Sequence, residues 1–118
     1  AEPVLKELER ITGTAVVSGT SARLSGGITR PPMPVSEVNL KLYEKLRQIG
    51  REIGIELGTF QSGGGSDANF AAALGVPTVD GVGPIGGGHH SEAEFLNIPS
   101  LYRRIDLLER FLQVFSKI

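Results

Sequence analysis

Ile55-Glu56-Leu57-Gly58-Thr59-Phe60 runs into Gly63-Gly64-Gly65-Ser66-Asp67, and this passage decides the expected fold. The first part, bounded by the glycine loop, reads as a strand. The second part is a glycine loop. Asp67 is placed to cap a short helix through Leu74, which Gly75 would end. Strand, glycine loop and helix in that order form half of an α/β unit.

Working outward, the same alternation continues on both sides. Upstream, Ser36 is a good N-cap. Behind it Leu42, Leu46, Ile49 and Ile53 line one helical face, with Val38 and Tyr43 beside them. Gly54 ends that helix, and Gly50 inside it weakens it slightly. Downstream, Pro77-Thr78-Val79-Asp80 reads as a second short strand. A glycine loop then leads to His90. A last helix is expected from about Pro99 to Ser116, with Leu101, Ile105, Leu108, Leu112 and Phe115 inward. Helix, strand, helix, strand, helix predicts an α/β fold with helices packed on a short, mostly parallel sheet. A right-handed crossover is the default connection. Ligand sites in such sheets lie at the strand C-termini, where both glycine loops would fall.

The first 30 residues read differently. Pro3 suits a first helical turn, Leu5, Leu8 and Ile11 make an apolar stripe, and Gly13 is placed as a C′ glycine. Thr14-Ala15-Val16-Val17 and Ser21-Ala22-Arg23-Leu24-Ser25 predict two strands, as a hairpin. Arg30-Pro31-Pro32-Met33-Pro34 then enforces extended backbone. It is either a crossing between two structural units or a stiff linker.

Composition excludes several function classes. The chain has 118 residues and a net charge of −1, with no electrostatic footprint for nucleic acid. It has no cysteine, so a metal would rely on imidazole and carboxylate. No apolar run is long enough to span a membrane, and no signal peptide is visible. A cytoplasmic location is the expectation, with any N-terminal signal expected in the missing portion. Glycine is the outlier, with 16 residues, half of them clustered at 63–65 and 81–88. Such clusters mean unusual backbone or backbone close to a ligand.

Three places could carry chemistry. The loop at Gly63–Gly65 either forms a tight turn capped by Asp67 or offers a backbone surface to a substrate. It has neither the Gly-Lys-Ser/Thr ending of a phosphate loop nor a Gly-x-Gly-x-x-Gly run. His89 and His90 are the two histidines of the chain. If the backbone there is extended, the two rings point to opposite sides, so one could face a metal. The bland alternative is a pair of solvent-exposed loop histidines. Arg30 either grips a carboxylate with its guanidinium fork or is a surface arginine beside a stiff turn. A serine-nucleophile elbow, Gly-x-Ser-x-Gly, is absent.

Taken together, four motifs in order resemble one family. They are Arg30-Pro31-Pro32-Met33, Gly63-Gly64-Gly65-Ser66-Asp67-Ala68-Asn69, Gly75-Val76-Pro77-Thr78-Val79-Asp80-Gly81 and Gly88-His89-His90-Ser91-Glu92. The chain is similar to the last part of the zinc exopeptidases and amidases that include aminoacylases, acetylornithine deacetylase, succinyl-diaminopimelate desuccinylase and glutamate carboxypeptidase. The resemblance implies that His90 is a zinc ligand and that His89 is not. It implies that Arg30 holds the substrate's terminal carboxylate, that Gly64 and Gly65 line the substrate pocket, and that Asp67 is structural. It assigns residues 1–32 to the end of an α+β lid or dimerisation domain, its last helix and strands. Residues 33–118 become the C-terminal part of a catalytic domain.

The resemblance further implies metal-assisted hydrolysis of the amide bond of N-acyl amino acids or small peptides with a free carboxylate. Two zinc ions would serve the complete enzyme, and a glutamate would take the proton. This chain lacks the family's His-x-Asp motif, its adjacent glutamates and its bridging aspartate. No catalytic residue is therefore assigned here. The expectation is a fragment or domain of such an enzyme, inactive alone and partnered by the missing N-terminal portion. The resemblance also allows a homodimer, and neither nucleic acid nor membrane is an expected partner. The rival reading is an anion-binding or interaction module without catalysis.

Overall fold

Local chemistry builds the second helix as expected. In the computed structural model, which describes residues 2–115, α1 spans Glu2–Thr12 and α2 spans Glu37–Glu52. Ser36 caps α2 from extended backbone, its hydroxyl accepting from Asn39 N. The helix stops where the left-handed Gly54 lets the chain turn back. Gly54 N donates to Arg51 O and Ile55 N to Gly50 O, the paired bonds of a Schellman motif. The short α3, Ala68–Ala73, ends in the same way, with Gly75 left-handed and Val76 N donating to Ala71 O. Gly13 follows α1 without that left-handed backbone.

Gly50 has a use that its low helix propensity hides. The returning chain passes so close that a Cβ at position 50 would lie 2.8 Å from Ile55 O. That approach seats Ile55 and Leu57 against α2, and Tyr43 donates its hydroxyl to Leu57 O at 2.9 Å.

The expected strands are the main correction. Residues 55–60 and 77–80 form no strand. Thr78 N donates instead to the side chain of buried Asn39, at 2.9 Å. Strands at 14–17 and 21–25 do not form either. The chain does turn there, with Thr20 N donating to Val17 O, but the two arms stay unpaired and exposed. Among the described residues the sheet is a two-residue pair, β1 (Gly86–Gly87) and β2 (Phe95–Leu96), and it is antiparallel. A short, mostly parallel sheet is therefore not present in these residues. The reason is physical: a strand exists through the ladder it shares, and among the described residues these runs have no neighbour to share one with.

The last helix, α4, spans Ile98–Phe115. Asn97 starts it, its side chain accepting from Ser100 N, while the buried Ser100 hydroxyl accepts from Ile85 N and donates to Asn97 O. Its buried face differs from the expected one. Leu107 is fully buried (0 % exposed) against Leu46, Ile49 and Ile55, with Phe111 packed beside it. Leu101 is half-buried, but Ile105, Leu108 and Leu112 are exposed. The expected inward side chain of Phe115 and the expected helix end at Ser116 lie outside the described residues. Both faces of α4 are apolar, and α2 covers the one through Leu107. The radius of gyration is 20.1 Å, against about 13–14 Å for a compact chain of this length. The molecule is open, with one small core where α2 meets α4.

Candidate functional site

The first candidate element forms around Arg30. Its guanidinium Nη1 donates to Asp67 Oδ1 at 2.9 Å, and its Cζ lies 4.9 Å from the centre of the Phe70 ring. The aliphatic part of the side chain crosses Gly65, where a Cβ would sit 2.6 Å from Arg30 Cδ. Asn69 ties the same segments together by donating to Pro31 O at 2.7 Å. Arg30 and Gly65, read separately from sequence, are thus in contact. Gly64 is next to them, its N–H donating to Ser62 Oγ.

Asp67 corrects an expectation. It occupies the N-cap position of α3, but its side chain makes no capping bond. Ser66 takes that work, its hydroxyl accepting from Ala68 N while Asn69 Oδ1 accepts from Ser66 N. The Asp67 carboxylate is left for Arg30. Sequence reading missed Phe70 altogether. Its position three residues beyond Asp67, on the same side of a helix, was the available signal.

The second element is the hairpin that carries the histidines. The glycines of β1 are required by their own hairpin. A Cβ at Gly86 would lie 2.5 Å from Phe95 O, and one at Gly87 would lie 2.8 Å from the Phe95 ring. A Cβ at Gly88 would meet Ala93 O at 2.6 Å. The second glycine cluster therefore forms a strand and does not follow one. The tip is a turn in which Ser91 donates from both N–H and hydroxyl to Gly88 O. His90 stands in that turn with φ 64°, the one described non-glycine residue with positive φ. An L residue held there costs about 1–2 kcal/mol. The backbone is not extended, so the two rings are not separated by strand alternation. His89 Nδ1 approaches Glu94 Oε1 at 3.4 Å, whereas among the described residues no hydrogen bond holds the exposed ring of His90.

A family model described as Peptidase family M20/M25/M40 matches residues 4–114. The chain belongs to that family. This bears out the resemblance read from the four motifs. The chain is also similar to carboxypeptidase G2 of Pseudomonas sp. (strain RS-16), at 35 % identity over 85 residues. The match covers 70 % of this chain and 20 % of that protein, so this family member spans about a fifth of its relative's length. No solved structure matches the chain.

The donor set of this M20/M25/M40 chain does not by itself fit a zinc ion. Zinc takes three or four protein ligands. Among the described residues no group of three or more histidine, aspartate or glutamate side chains is close enough to hold a metal. His90 offers one imidazole on a loop. Among the described residues no helix is long and apolar enough to cross a membrane.

Proposed function

We propose that this chain supplies the carboxylate pocket and one metal-binding imidazole of a zinc-dependent amide hydrolase of the carboxypeptidase or deacylase type. The substrates are N-acyl amino acids or small peptides with a free carboxylate. Arg30 binds that carboxylate, and the backbone at Gly64 and Gly65 lies along the substrate. His90 is one ligand in a site whose other ligands and general base belong to polypeptide outside this sequence. Alone, the chain binds zinc weakly and hydrolyses nothing.

The observation that carries this reading is the placement of Arg30 over Gly65. That contact brings a guanidinium against the glycine loop, and this supports the reading of Arg30 as the carboxylate anchor. Family membership supports the hydrolase class, and the name of the matched relative supports a carboxypeptidase-like substrate.

The test is a substrate comparison in the enzyme completed by the remaining polypeptide. Arg30→Gln should lower kcat/KM for N-acyl amino acids by about tenfold to a hundredfold, the value of a charge-assisted hydrogen bond. It should leave the corresponding amides nearly unchanged. Equal loss for both substrate types removes the proposed role.

A further inference from the structure

Arg30 is not idle. One nitrogen of its fork, Nη1, holds a carboxylate that belongs to the protein, and one face of the fork lies on Phe70. Its Nε lies beside Gly65, within 3.1 Å of where a Cβ would be. The Asp67 carboxylate reaches Arg30 with a single oxygen, and its side chain is 96 % exposed against 37 % for Arg30. A pair so open to water is weak and easily exchanged, worth only a small multiple in an equilibrium constant.

We infer that Asp67 sets the affinity of Arg30 for carboxylate ligands by acting as an internal competitor. This rests on the reading of Arg30 as the carboxylate anchor. With Asp67 in place, an incoming carboxylate meets a cation already neutralised by a neighbour. It must displace Asp67 from Nη1 or share the fork with it, and in both cases two like charges oppose each other. A neutral amide at position 67 leaves the full guanidinium charge for the ligand. When Asp67 lets go, the Phe70 ring still faces the guanidinium, and Gly65 leaves open the space that the side chain crosses. Asp67 is therefore a specificity-setting residue and not a cap. It makes carboxylate binding weaker and more readily reversible than a free arginine would.

The purified chain at low ionic strength provides the test, since salt screens exposed pairs. The probes are N-acetylglycine and N-acetylglycinamide, followed by ligand-observed NMR of the acetyl methyl group. Asp67→Asn should bind N-acetylglycine tighter than the unmodified chain by between about 1.5-fold and fivefold. Asp67→Glu should return the affinity to its original value, and Arg30→Gln should remove binding. The amide probe should respond to none of these changes. Unchanged or weaker binding by Asp67→Asn, with binding still lost in Arg30→Gln, overturns the competitor role and leaves Arg30 as anchor. Binding that survives Arg30→Gln overturns the anchor and the competitor together. So does failure of every variant, Asp67→Asn included, to bind N-acetylglycine.

Discussion

Arg30 crosses Gly65 with no room for a side chain between them: a Cβ at 65 would be 2.6 Å from Arg30 Cδ. This contact joins the proline-rich segment to the glycine loop, and its partners differ in how they yield. Arg30 is a flexible, partly exposed side chain. Gly65→Ala should therefore push it aside at a cost below about 1 kcal/mol, as for a surface substitution. Its ion pair with Asp67 and its stacking on Phe70 should be lost. A thermal melt that moves little, with a large shift of the Arg30 Nε–Hε NMR signal, is the expected result.

Gly50→Ala should behave in the opposite way. The atom it meets is the backbone oxygen of Ile55, 2.8 Å away, in the turn that closes α2. That oxygen cannot move without pulling Ile55 out of the core. A cost of about 1–3 kcal/mol is expected, the range for overpacking. Urea denaturation followed by circular dichroism measures it. A loss under 0.5 kcal/mol, about the spread of neutral surface changes, contradicts the account.

The histidine turn makes a prediction in the stabilising direction. His90 holds φ 64°. His90→Gly relieves that strain but adds freedom to the unfolded chain. Stability should be unchanged or raised by up to about 1 kcal/mol. Gly88→Ala, which meets Ala93 O at 2.6 Å with its own φ at 67°, should open the hairpin. Loss of the cross-strand signals between Gly87 and Phe95 reports it.

On α1, the Glu7 carboxyl is held below its ordinary value by the Arg10 guanidinium, which donates to it through two nitrogens. A lowered folded-state value means support for the folded form above the ordinary glutamate range, fading as the pH falls through the lowered value. The helical signal at low salt should decline slightly on acidification. Arg10→Gln should remove that part of the decline.

What could be read from the residues was local. The start of α2 at Ser36 and the glycine stops at Gly54 and Gly75 depend on a few adjacent residues, and they stand as expected. The strands did not, because Ile55–Phe60 has strand-forming residues but a ladder needs a second backbone. The buried face of α4 was misread for a related reason. The stripe Leu101, Ile105, Leu108 and Leu112 is the more regular, yet α2 covers Leu107. Periodicity shows that a face is apolar and not which face meets a neighbour. At the site, Arg30, Gly65 and His90 were visible as residue types. The pairing of Arg30 with Asp67 was hidden because Ser66, one residue earlier, captured the cap. The left-handed turn at His90 left no signal beyond its neighbouring glycines.

In the proposed function this chain brings one zinc-binding imidazole and a carboxylate pocket to a hydrolytic site completed elsewhere. Incubating the purified chain with zinc and N-acetyl amino acids, and measuring amino acid release with and without a chelator, tests it most directly. No release is expected in either case. Robust release that the chelator abolishes would contradict that proposal.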